Sequence, residues 1–88
     1  MKKCVVVYNS ASVVHRAKKL LKRDNIRVQV VQLPSDLGLQ GCSYGLECDA
    51  EQLEAVVAHA KAHELAVKAV FEVEQATDGK VYTVYDLS

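Results

Sequence analysis

Three thiols and three imidazoles are the side chains of this 88-residue chain best suited to chemistry: Cys4, Cys42 and Cys48, and His15, His59 and His63. The thiols stand in two kinds of context. Cys4 opens the apolar run Cys4-Val-Val-Val-Tyr8, and Cys48 closes the alternating stretch from Ser43, settings typical of small buried thiols. Cys42 instead follows Leu37-Gly-Leu-Gln-Gly41, at the mouth of a glycine-bordered loop. An odd number of cysteines excludes a fully paired disulfide framework. Cys42 and Cys48 are separated by an extended stretch on the order of 20 Å long, against roughly 6 Å between the Cα atoms of a disulfide, so they are not expected to bridge. The cysteines fit a reducing compartment.

The imidazoles promise less. No CxxC and no Cys/His ligand spacing occurs, which argues against a structural zinc site. His59 and His63 lie four residues apart and share a helix face, a spacing that can bind zinc, yet the sequence fixes no third ligand near them. The expectation is two solvated histidines and no metal. His15 is expected to face solvent. Nothing resembles a phosphate loop, a catalytic triad or a carboxylate pair, and Asp49 is expected to be occupied as a helix cap. No general acid–base machinery and no cofactor are expected, so independent enzymatic turnover is not anticipated.

The elements that must position these residues follow from periodicity. Cys4 to Tyr8 is apolar on both faces and reads as a central strand. Asn9, Ser10 and Ser12 are capable N-caps for a helix in which Val13, Val14, Ala17, Leu20 and Leu21 recur at helical spacing, ending at Asp24-Asn25. Ile26 to Leu33 alternates as a second strand, with Ile26, Val28 and Val30 on one face. Pro34 to Gly41 is loop, and Ser43 to Cys48 is a short third strand. Asp49, with Gln52 three residues on, predicts a capped second helix whose core stripe is Leu53, Val56, Val57 and Ala60. Ala66 to Glu74 alternates again, placing Val67, Ala69, Phe71 and Val73 on one face, and Asp78-Gly79 turns the chain into a last strand over Lys80 to Asp86. Strand, helix, strand, strand, helix, strand is the split βαβ, ferredoxin-like order, so the expected fold is one α+β domain over residues 1–88 with one additional C-terminal strand. The sheet face away from the helices is expected to be apolar and covered by a second copy of the chain, giving a homodimer.

In this topology the first strand ends, and the second meets the third, at one end of the sheet. The start of the first helix, Ser10 to Val14, therefore lies near the loop that carries Cys42. Unpaired N–H groups and a partial positive charge at a helix start stabilise a thiolate. Ser10, Gly41 and Gly45 would line this open thiol site, the glycines by letting backbone approach closely or take positive φ.

Several segments together resemble the small selenium/sulfur carrier-like family. They are the strand-to-helix opening Val7-Tyr8-Asn9-Ser10, the helix end Ala17-Lys-Lys-Leu-Leu21, the strand Ile26-Arg-Val28, the loop Leu33-Pro-Ser-Asp-Leu37 leading to Gly41-Cys42, and Glu47-Cys48-Asp49. The resemblance runs over roughly residues 3 to 73. It implies a ferredoxin-like domain whose loop cysteine, Cys42, holds sulfur or selenium as a persulfide or selenide. It also implies partner proteins that donate and accept the chalcogen. The chain departs from the family in carrying Ser43 where a glycine usually follows the cysteine; the next glycine is Gly45.

Composition narrows the partners. Half of the residues are hydrophobic, a quarter are charged, and the net charge is zero. Residues 1–33 hold eight Lys/Arg against Asp24 alone, while residues 34–88 hold ten Asp/Glu against Lys61, Lys68 and Lys80. On the first helix, Arg16, Lys19 and Arg23 offer a docking surface for an acidic partner. Nucleic acid is not expected, because no aromatics interleave the basic residues and the domain is not basic overall. No apolar run approaches a membrane span, and the opening Met1 to Tyr8 lacks a signal-peptide core, so a cytoplasmic protein is expected. The competing reading is a regulatory or interaction module that binds a small ligand where the Pro34–Gly41 loop meets the first helix.

Overall fold

The computed structural model describes residues 2–33 and 44–85. In chain order these form β1 (Lys3–Tyr8), α1 (Ala11–Arg23), β2 (Gln29–Gln32), β3 (Tyr44–Asp49), a 3-10 turn (Ala50–Gln52), α2 (Leu53–Ala62), β4 (Val67–Ala76) and β5 (Gly79–Val84). The fold is a small α+β domain in which two helices accompany one five-stranded sheet of order β2-β3-β1-β4-β5. Every neighbouring pair is antiparallel. This differs from the order of a four-stranded sheet by β5, which extends one edge.

Three consecutive valines make β1 a strong strand former that is unsuited to a wet surface. Val5, Val6, Val7 and Tyr8 have no exposed surface at all. Alternation divides the strand between two apolar layers. Cys4, Val6 and Tyr8 join Val14, Ala17 and Leu21 of α1, Leu46 and Cys48 of β3, and Leu53, Val56 and Ala60 of α2. Val5 and Val7 join Leu33, Phe71 and Val73 on the other side of the sheet.

Both helices stop in the same way. Asn25 and Glu64 adopt left-handed backbone, with φ of 61° and 56°. The Ile26 N–H then closes back on the Leu21 carbonyl at 2.9 Å, and the Leu65 N–H on the Ala60 carbonyl at 2.8 Å. Each is a Schellman closure, which satisfies carbonyls that the helix leaves over. It also explains a shorter second strand than the alternation predicts. Ile26 belongs to the end of α1 rather than to β2, which pairs only from Gln29.

Two other expectations change for physical reasons. Asp49 does not cap a helix with its side chain; its carboxylate is held by the Lys3 ammonium, and the 3-10 turn intervenes before α2. On β4 the expected single face is split by an irregularity, because Val7 pairs with Ala69 but Tyr8 with Val67. The extra residue, Lys68, turns Val67 toward the helix-side core while Ala69 stays on the opposite layer.

The face away from the helices is apolar, as expected, but it is not open. Val5 and Val7 are fully buried there, and Leu33, Phe71 and Val73 are at most 6% exposed within the single chain. Part of the cover comes from β5, where Tyr82 meets Phe71 edge-to-face at 6.5 Å between ring centroids. In a flat sheet β5 and β3 would stand roughly 14 Å apart, three strand spacings, and Lys80 is offset from Glu47 by a further four residues, roughly 13 Å, along the strands. Lys80 nevertheless reaches Glu47 at 3.7 Å, so the β4–β5 hairpin curls across this face. Val5, Val7, Leu33, Phe71 and Val73 are thus buried within the single chain, while Val81, Val84 and Tyr85 stay exposed.

Gly45 lies beneath this layer. A Cβ there would stand 2.6 Å from Val5 Cγ1 and 3.0 Å from the Val6 carbonyl oxygen, between two central strands. Gly45→Ala is expected to overpack the site and cost about 1–3 kcal/mol, read as a lower midpoint in thermal or urea unfolding with the sheet signal otherwise retained.

Candidate functional site

Gln32 pairs with Tyr44, and Val7 and Val31 flank Gly45 from either side. The chain therefore leaves β2 at Leu33 and re-enters β3 at Tyr44 at the end of the sheet where β1 hands over to α1. Gly41 and Cys42 themselves lie outside the described residues. Ser10 is the N-cap of α1: its Oγ accepts from the Val13 N–H at 3.4 Å and lies 3.1 Å from Ser12 Oγ. The first turn of α1 carries no acidic residue, so the positive end of its dipole is not neutralised from within the helix. Gly45, named as site-lining for its backbone freedom, is a buried strand residue; it is not among the glycines with positive φ, and its lack of a side chain serves strand packing.

The two other thiols sit directly opposite each other on β1 and β3, at 1% and 3% exposure. Burial pushes the Cys48 thiol up to about 12, with Cys4, Asp49 and Glu47 adding to the effect. Cys4 is raised as well, first by burial and then by Glu72, with Lys2 opposing. Thiols of this kind stay protonated and shielded, the opposite of what nucleophilic sulfur needs. Tyr8 packs beside them, its hydroxyl buried without a hydrogen-bond partner among the described residues. Burial, aided by Cys48, pushes that phenol to about 12.

Arg16, Lys19 and Arg23 are exposed on α1, as is His15. Their spacing places the three cations along one side of the helix. A groove of about 660 Å³ opens by the C-terminal end of that helix, lined by Lys18, Lys22, Asn25, Ile26, Arg27 and Val28. It lies at the opposite end of α1 from Ser10, away from the loop end where the competing ligand-binding reading puts its pocket.

The expectation of two solvated histidines fails for His59, which is only 9% exposed. Its Nε2 stands 3.2 Å from Asp24 Oδ2, and its ring centroid 4.3 Å from that of His63. The sequence supplied the two histidines by spacing but hid the carboxylate, which lies 35 residues upstream of His59 and arrives only through helix packing.

These elements have a counterpart among known families. The family model described as "Putative Se/S carrier protein-like" matches residues 3–72. The chain belongs to that family. No curated protein and no solved structure gives a significant match. The carrier-like family segment ends at Glu72, within β4, so β5 lies beyond it. Among the described residues, no helix is long and apolar enough to cross a membrane.

The buried thiol and phenol set a pH dependence. Unfolded, Cys48 and Tyr8 ionise around 9.0 and 10.0; folded, both are held near 12. The folded chain thus binds more protons in this window, and its stability falls as pH rises. The contribution of these groups to stability is expected to be fully present below about pH 9 and to be lost steadily from there toward about 12. Cys48→Ala should be less stable than the parent at neutral pH, through the cavity it leaves, yet lose less stability across the alkaline range in urea titrations.

Proposed function

We propose that this domain is a carrier that holds sulfur or selenium covalently on Cys42 and delivers it to an acceptor protein. Membership of the carrier-like family supports the chemistry in general terms. The observation that carries the residue assignment is elimination: Cys4 and Cys48 are packed in the core and held protonated, which leaves Cys42 as the thiol suited to exchange.

Loading is an exchange between sulfurs. The Cys42 thiolate attacks the terminal sulfur of a donor persulfide; a new S–S bond forms on Cys42, the donor's S–S bond breaks, and the donor leaves as thiolate. Unloading runs the same way, with an acceptor nucleophile taking the terminal atom and Cys42 returning to thiolate. A terminal selenium in place of sulfur follows the same balance. No net oxidation or reduction of the carrier occurs, so the domain needs no cofactor and has no turnover apart from its partners.

The end of the sheet that receives the loop suits this exchange. The start of α1, capped by Ser10 and free of acidic residues, stands there as a source of positive potential. The exposed cations Arg16, Lys19 and Arg23 along α1 serve as a docking stripe for acidic donor or acceptor surfaces. We read β1 to β4 with the two helices as a ferredoxin-like split βαβ unit, with β5 added beyond β4. The position of β1 between β3 and β4, antiparallel to both, supports that reading. A cytoplasmic setting agrees with free, reduced thiols.

Incubation with a persulfide-loaded cysteine desulfurase, followed by intact-protein and peptide mass spectrometry, tests the proposal. One added sulfur is expected, located on the peptide containing Cys42, and lost to background in Cys42→Ser. Native alkylation should modify Cys42 first, with Cys4 and Cys48 reacting only as the chain unfolds. Unchanged loading in Cys42→Ser, or no loading at all, would overturn the carrier assignment and leave the binding module in its place.

A further inference from the structure

We propose that Asp24, His59 and His63 form a binding site for one divalent transition-metal ion such as Zn²⁺, held between the C-terminal ends of the two helices. The inference is independent of the carrier chemistry. One ligand atom from each residue lies within 4.8 Å of the others. A tetrahedral zinc with bonds of about 2.05 Å sets its ligand atoms about 3.3 Å apart. The Asp24 Oδ2 to His59 Nε2 distance, 3.2 Å, already matches that span. His63 is exposed, so its ring is free to close the remaining gap by side-chain rotation.

His59 is the second observation. Its side chain is only 8% exposed, yet neither ring nitrogen makes an aligned hydrogen bond among the described residues. Asp24 is close enough for an ion pair but wrongly directed for a hydrogen bond to Nε2. A buried imidazole without partners is costly, because it has given up water for nothing. A metal bond from one nitrogen relieves that cost, and it uses the lone pair of the neutral ring.

The fold prepares the place for a cation. Asp24 is the C-cap of α1 and His63 the C-cap of α2, each fixed by its Schellman closure. Side chains of two helix-ending residues thus converge on His59. Lys22, Arg23 and Lys61 in the last turns are exposed and solvated, so their charges are screened from the site. The donor set, two imidazoles and one carboxylate, suits zinc, cobalt or nickel better than calcium or magnesium. Three protein ligands leave one position for water. The ion would fasten the end of α1 to α2.

Metal-free protein in a Cys42→Ser background, which removes the loop thiol as a competitor, is titrated with Zn²⁺ by calorimetry and with Co²⁺ by visible absorption. The expected result is saturation at one ion per chain, with cobalt ligand-field bands and no thiolate charge-transfer band. His63→Ala and Asp24→Asn, both at exposed positions and so tolerated by the fold, should each weaken binding by about tenfold or more. His15→Ala should leave it unchanged. Absence of saturable binding at one ion per chain, or affinity in His63→Ala and Asp24→Asn equal to the parent's, would overturn the site and reduce the cluster to a contact between Asp24 and the buried His59.

Discussion

Everything in this domain is arranged around a strand that cannot touch water on either side. Four consecutive residues of β1 have no exposed surface. That single fact requires a hydrogen-bonded neighbour on each edge, a helical layer on one face and a cover on the other. β3 and β4 supply the edges and α1 and α2 the first layer. Leu33, Tyr82 and the curled hairpin contribute to the second. The close approach that rules out a side chain at Gly45 is a local consequence of packing that second layer tightly against β1.

Local features of the chain were readable and relational ones were not. The valine run, the Ser10 cap, the apolar stripe of α1 and the turn before Gly79 depend on neighbours in sequence, and all appear where periodicity puts them. The misreadings involve distant partners. Asp49 looks like a cap until Lys3, 46 residues away, takes its carboxylate. Val67 looks aligned with Ala69 until the register against β1 shifts by one. His59 looks like a surface residue until α2 is laid beside the end of α1. Burial of the far sheet face was also invisible, since it depends on the sheet curling far enough for Lys80 to meet Glu47.

The lopsided charge of the sequence has two fates. Lys2 and Lys3, from the basic half, pair with Glu72 and Asp49, from the acidic half, so part of the asymmetry is spent in joining strands. Such exposed pairs are screened by solvent, and they guide register more than they stabilise. The cations of α1 keep facing solvent. Cys4 and Cys48 are absorbed into the core, where their sulfur acts as a small hydrophobic group.

The family segment stops at Glu72, but the sheet does not. A fragment trimmed to that boundary would lose the last four residues of β4 and all of β5. Phe71 would be stripped of its aromatic neighbour and Glu47 of its lysine. The wetted valine and phenylalanine layer would then make such a fragment adhesive and prone to self-association. For this protein the second core reaches past the stretch matched by the family model, and a boundary drawn at Glu72 cuts through it.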